Sequence, residues 1–139
     1  MNSLKRFSDP VYCLMRLIVG LLFFCHGAQK ILGWFPNPKA PGGPLDTMAL
    51  LSGWIELVGG ILIALGLLTR LAAFISSGEM AVAFFMVHAK SGLIPRLNGG
   101  EPAVMYCFIF LFIVFYGAGR ISLDSLLFKR EAAPPPSTV

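Results

Sequence analysis

Charge is what this sequence has least of. Lys, Arg, Asp and Glu together make up 13% of its 139 residues, against about 25% in an average soluble domain. A soluble chain this short forms one domain and needs polar side chains to cover it. With 56% hydrophobic residues and a mean hydropathy of +0.76, that cover is missing. A soluble enzyme, a secreted disulfide scaffold and a disordered chain are all excluded. Cysteine is scarce too: Cys13, Cys25 and Cys107 sit in apolar runs and form no Cys-x-x-Cys pair. That removes a thioredoxin-like dithiol and a zinc knuckle, and leaves thiols that pack as small hydrophobes. Histidine occurs only at His26 and His88. Neither has a glutamate at the i, i+3 spacing of di-iron bundles, so no metal is expected. A haem needs an axial ligand, which His26 or His88 could supply.

The net charge of +4 comes from Lys5-Arg6, Arg70, Arg120 and Lys129-Arg130, at the edges of apolar segments. No basic face with interleaved stacking aromatics accompanies it, so nucleic acid is not an expected partner.

Long apolar runs are what the chain does have. They cover residues 11–32, 48–68, 71–89 and 103–118. Each approaches the roughly 20 residues that cross a hydrocarbon core about 30 Å thick. Unpaired backbone groups are costly in lipid, so each run is expected to be helical. The predicted fold is all-α: an integral membrane four-helix bundle with a short C-terminal interfacial helix over residues 121–128. Ser122 is the expected N-cap of that helix, with Asp124 in its first turn. Pro36, Pro38, Pro41 and Pro44 with Gly42-Gly43 make the first connection irregular. Leu68-Thr69-Arg70 predicts a tight turn, and Pro102 suits the first turn of the last long helix. Residues 1–10 form an N-terminal segment, 11–128 the membrane domain, and 129–139, with Pro134-Pro135-Pro136, a disordered tail.

Lys5-Arg6 before an apolar run invites comparison with a signal peptide. Arg16 interrupts the run and no small-x-small cleavage site follows, so the segment is expected to be retained. Counting Lys and Arg on each side places both termini in the cytoplasm, with the Pro-rich connection outside.

Arg16, His26, Lys30, Glu56, Glu79 and His88 lie within or beside the first three runs. A charge in mid-membrane costs about 2.5 kcal/mol or more, so such groups face protein or water and are functional candidates. At about 100° per residue, Arg16, Gly20, Gly27 and Lys30 share one side of the first helix. Gly53, Glu56, Gly60 and Ile63 share a face of the second, and Ala72, Ser76, Glu79 and Ala83 one of the third. Small residues beside charges let helices approach and bury them. Depth counting pairs Glu56 with His26 or Lys30, and Glu79 with Arg16. These pairs serve either to hold the bundle together or to pass protons, a task suited to a buried carboxylate and imidazole. Lys30 snorkelling to the interface, and His88 at the rim, are the plainer uses of those side chains. Phe108, Phe110, Phe112 and Phe115 are expected to face lipid or pack.

These residues resemble the DoxX family of small bacterial membrane proteins. The matching pieces are Arg16 with Gly20, His26-Gly27-x-x-Lys30, Gly53-x-x-Glu56-x-x-Gly59-Gly60 and Gly66-Leu67-Leu68-Thr69-Arg70. Asn98-Gly99-Gly100-Glu101 and Gly117-x-Gly119-Arg120-x-Ser122-Leu123-Asp124 follow. Ala118 departs from the pattern, standing where relatives often have proline. The resemblance implies a four-helix inner-membrane protein linked to redox systems, similar to the membrane subunit of thiosulfate:quinone oxidoreductases. It attaches no catalytic residue set.

Three functions fit these features. The first is a redox-associated membrane subunit that binds quinone, with His26, Lys30 and Glu56 at the quinone carbonyl. The second is a scaffold docking soluble redox or thiol-stress proteins, and the third a small transporter or proton channel. The chain is expected in the lipid bilayer, alone or as a homo-oligomer.

Overall fold

A computed structural model describes residues 2–36 and 44–128. After a single turn, α1 (Asn2–Lys5), the long α2 spans Ser8–Leu32. It is followed by α3 (Thr47–Leu65) and α4 (Thr69–Ala83). The latter continues as a π-helical turn, Phe84–His88, and a 3-10 turn, Ala89–Ser91. A short α5 (Pro95–Asn98) leads into α6 (Glu101–Tyr116), and α7 (Leu123–Leu127) completes the described chain. The expected tail, residues 129–139, lies outside the described residues, as does most of the Pro-rich connection.

Local chemistry sets the boundaries. Asp46 caps α3 by accepting from the Ala49 N–H at 2.7 Å, which ties down an otherwise orphaned donor. Three residues before the end of the expected apolar run, α3 ends at Leu65, followed by Gly66, whose φ of +71° is the left-handed conformation that ends helices. Pro102 sits in the first turn of α6 and Ser122 caps α7, accepting from the Ser125 N–H at 3.2 Å.

The helices Ser8–Leu32, Thr47–Leu65 and Thr69–Ser91 are long and apolar enough to cross a membrane. The apolar α6, with 16 residues, is about 24 Å long at 1.5 Å per residue. Much of the outer surface is large hydrophobic side chain: Phe74, Phe108, Phe112 and Phe115 are all exposed. Phe110 instead packs inward and is fully buried. Such an apolar exterior belongs in lipid, and the protein is a multi-pass membrane protein with an all-α bundle fold.

The closest helix pair is α2 with α3. A Cβ placed on Gly20 would lie 2.5 Å from the Ala64 nitrogen, and one on Gly60 would meet the Phe24 backbone. Only glycine permits that approach. Against α6, α2 packs through rings instead, with Phe23 on Phe110 at 4.7 Å and Tyr12 on Tyr116 at 4.0 Å between centroids.

The start of α2, the α3–α4 turn and α7 meet at one end of the bundle, where charged side chains hold backbone groups. Arg16, only 2% exposed, donates from Nη1 to the Ile63 and Ala64 carbonyls at 2.5 and 3.1 Å, and from Nη2 to Ile121 at 2.7 Å. Arg70 does the same for the end of α6, donating to Val114 at 2.5 Å and Phe115 at 3.1 Å. A cation at a helix C-terminus satisfies carbonyls that have no intrahelical partner. Asp124 accepts from the Leu68 and Thr69 N–H groups at 2.8 and 3.0 Å, at the start of α4. Tyr12 donates its hydroxyl to the Gly117 carbonyl.

Arg16 therefore does not pair with Glu79, contrary to the depth argument. The reason is an offset between helices. Gly20 packs level with Gly60 and Ala64, so the first turns of α2 overhang the α3–α4 turn and Arg16 reaches the last carbonyls of α3. Glu79 bonds Ser52, eleven residues before Ile63, or about 16 Å along the same helix.

Candidate functional site

The other end of the bundle holds a polar cluster. Lys30 comes from the last turn of α2, where its charge also suits the helix dipole. It crosses to α3 where Gly53 leaves room: a Cβ there would lie 3.1 Å from the Lys30 Cβ. Ser52 and Glu56 are four apart on α3 and so share a face, and Glu79 approaches from α4.

Lys30 Nζ donates to Glu56 Oε1 at 2.8 Å and to Ser52 Oγ at 2.9 Å. Ser52 has one hydroxyl proton, and it goes to Glu79 Oε1 at 2.8 Å. The serine thus links ammonium to carboxylate in a continuous chain, Lys30 to Ser52 to Glu79. The Lys30–Glu56 salt bridge is asymmetric, with side chains 34% and 5% exposed. The second oxygens of Glu56 and Glu79 are buried with no hydrogen-bond partner among the described residues. One lysine offsets one carboxylate, and the other needs a proton or a further cation to sit in so dry a place.

This cluster forms one wall of a cavity of about 860 Å³, within the range of small-molecule sites. Most of the lining is apolar, with Met48, Leu51, Ile75, Met80, Val82 and Met86 among it. His26 and Tyr106 add polar groups, their rings edge-on at 5.9 Å. The π-helical turn contributes Met86, Val87 and His88. Such turns recur at functional sites. Asn98-Gly99-Gly100 closes one end: Gly99 lines the cavity, Asn98 Oδ1 accepts from the Gly100 N–H at 2.7 Å, and His88 Nδ1 lies 3.2 Å from the Asn98 carbonyl.

Of the residues singled out by sequence, Lys30, Glu56 and Glu79 come together, and His26 lines the same cavity. The partner of Glu56 is Lys30, while His26 is exposed on the cavity side. Arg16 stands apart at the opposite end. Ser52, Tyr106 and the π-helical turn were not foreseen. Ser52 could have been: it lies one turn before Glu56 and one residue before Gly53, on the face already identified. Among the described residues no three His, Cys, Asp or Glu side chains gather as a metal-binding group.

Comparison with known proteins identifies the family. The DoxX family profile matches residues 11–89, which carry α2, α3, α4 and with them Lys30, Ser52, Glu56 and Glu79. An uncharacterized protein of Haemophilus influenzae is 42% identical over 94% of this chain and 100% of its own length. "Putative oxidoreductase CatD" of Bacillus subtilis is 29% identical over 85% of this chain and 87% of its own. The inner membrane protein YqjF of Escherichia coli is 27% identical over 91% and 99%. No solved structure matches. The family match takes in every helix of the polar cluster, and the Haemophilus relative aligns from end to end: the chain belongs to the DoxX family.

Proposed function

We propose that the protein is a redox-associated subunit of the bacterial inner membrane that binds a quinone head group in this cavity. The observation that carries the reading is the Lys30–Ser52–Glu56–Glu79 network set into an apolar pocket, with two carboxylate oxygens lacking partners among the described residues. The name of the Bacillus relative supports the redox part, and that of the Escherichia relative the inner membrane.

The residues fit such a ligand. A quinone supplies a lipid-soluble carrier of two electrons and two protons. Lys30 Nζ has three donors and uses two within the cluster, which leaves one for a carbonyl oxygen. His26, exposed in the same cavity, offers a second donor. The hydrogen bonds run from Lys30 through Ser52 to Glu79. After Lys30 gives a proton to the head group, it is therefore reprotonated along the series once Glu79 has taken up a proton and the Ser52 hydroxyl has turned toward Lys30. The apolar walls exclude water and strengthen these contacts. In this reading the electrons come from a soluble redox partner.

A pore is the less suited use. Ile63, Phe110 and Ile113 are fully buried in the core, and the Arg16 clamp closes the end beyond them. None of the residues that line the cavity belongs to the Arg16 clamp. With the termini in the cytoplasm, the cavity's polar rim opens on the outer face.

The test is a deletion strain challenged with peroxide, thiol stress and sulfur oxyanions, then complemented with wild type or Glu56→Gln. Sensitivity of the deletion strain that is relieved by wild type and not by a stably folded Glu56→Gln supports the reading. Unchanged tolerance in the deletion strain, or full rescue by Glu56→Gln, overturns it.

A further inference from the structure

We propose that the ligand reaches this cavity sideways from the lipid, through a mouth between α3 and α4, and that it carries a hydrocarbon tail lying in that mouth. The inference rests on the proposed site for the ligand's head and adds its route and its tail.

The two helices are joined by a three-residue turn at the clamped end and stay close for several turns. A Cβ on Gly59 would lie 2.7 Å from Ser76 Oγ, and the Ser52–Glu79 hydrogen bond is the next bridge. Beyond that bond the crevice opens. Met48 and Leu51 on one side, Val82 and Met86 on the other, line the cavity and are also 46–55% exposed. They reach from the interior wall to the outer surface of the bundle. The π-helical turn begins at Phe84, one residue beyond Ala83 in the cavity wall. Its wider winding carries the chain off the α-helical path there.

Four half-exposed apolar side chains around an opening would be unfavourable in water and are covered at no cost by acyl chains. A wholly polar ligand gains nothing from such a mouth. A molecule with a hydrogen-bonding head and an apolar tail matches both parts: head at Lys30 and Ser52, tail between Leu51 and Val82. The polar rim, with Asp46 and Lys90, provides the competing route from water.

The experiment uses the full chain in lipid nanodiscs. Spin labels are placed at Val82→Cys and Met86→Cys after replacement of Cys13, Cys25 and Cys107 by alanine. Stronger relaxation by oxygen, which concentrates in lipid, than by a water-soluble nickel chelate supports the mouth, and the reverse overturns it. In parallel, a decyl-tailed and a tail-less benzoquinone are titrated against wild type and Ala83→Phe, which narrows the mouth. The tailed compound should bind at least about tenfold more tightly to wild type, and Ala83→Phe should abolish that advantage. Equal affinities, or an advantage that survives Ala83→Phe, overturn the tail assignment. Binding of neither compound beside a lipid-accessible mouth overturns the quinone reading and supports the lateral opening.

Discussion

Removing one partner of the Lys30–Glu56 pair should have unequal consequences depending on which partner goes. Lys30→Ala leaves the Glu56 carboxylate, 5% exposed, with no cation among the groups it bonds in the structure. Breaking a buried pair in this way costs about 3–5 kcal/mol. Glu56→Ala instead leaves Lys30, 34% exposed and still bonded to Ser52 at 2.9 Å. Its long stem can turn the ammonium to the interface, so the loss should be only about 1–2 kcal/mol. The two differ by roughly 2 kcal/mol, up to about thirty-fold in the unfolding equilibrium. Because the cost is that of an orphaned charge, Lys30→Met/Glu56→Leu should come within about 1 kcal/mol of wild type. The assay is unfolding in mixed micelles with rising SDS, followed by Trp34 and Trp54 fluorescence. Equal losses from the two single variants, or a double variant that merely sums them, would refute the reasoning.

Other consequences are as concrete. Arg16→Ala removes hydrogen bonds to Ile63, Ala64 and Ile121 and should cost about 3–5 kcal/mol in the same assay. Arg16→Lys, lacking the forked donor geometry, should recover less than half of that, with ligand affinity of the folded fraction unchanged. Gly60→Ala pushes a methyl into the Phe24 backbone and should cost about 3 kcal/mol. Gly78→Ala, with open space around its Cβ, should gain about 0.5–1 kcal/mol; comparable effects would contradict the packing of α2 on α3. For topology, a membrane-impermeant thiol reagent on intact cells should label Lys39→Cys and spare Ser137→Cys, and the opposite pattern would invert the orientation.

The polar face of α3 was legible because Gly53, Glu56 and Gly60 repeat at helical spacing, and the structure puts α2 against that face. The ends of the helices were legible where a single residue decides them, as at Ser122 and Pro102. The partner of Arg16 was not, because its acceptors are backbone carbonyls, which no side-chain pattern marks. Glu79 was misplaced for a related reason: residue counting assumes helices that start level, and α2 overhangs its neighbours by the turns preceding Arg16. Ser52 escaped notice because a serine in a membrane helix is common, and only its position between Lys30 and Glu79 gives it a role. The π-helical turn at Phe84–His88 leaves no composition signal, since the widening comes from packing.

The central claim is that the Lys30–Ser52–Glu56–Glu79 cavity holds a quinone head group. It is tested most directly by mass spectrometry of small molecules retained through purification in mild detergent. Wild type is compared with Lys30→Met/Glu56→Leu, which keeps the fold and loses the polar donor. The account predicts a quinone bound to wild type in near-stoichiometric amount and absent from the double variant. A double variant that retains the same quinone in the same amount, or a wild type that carries none, would contradict it.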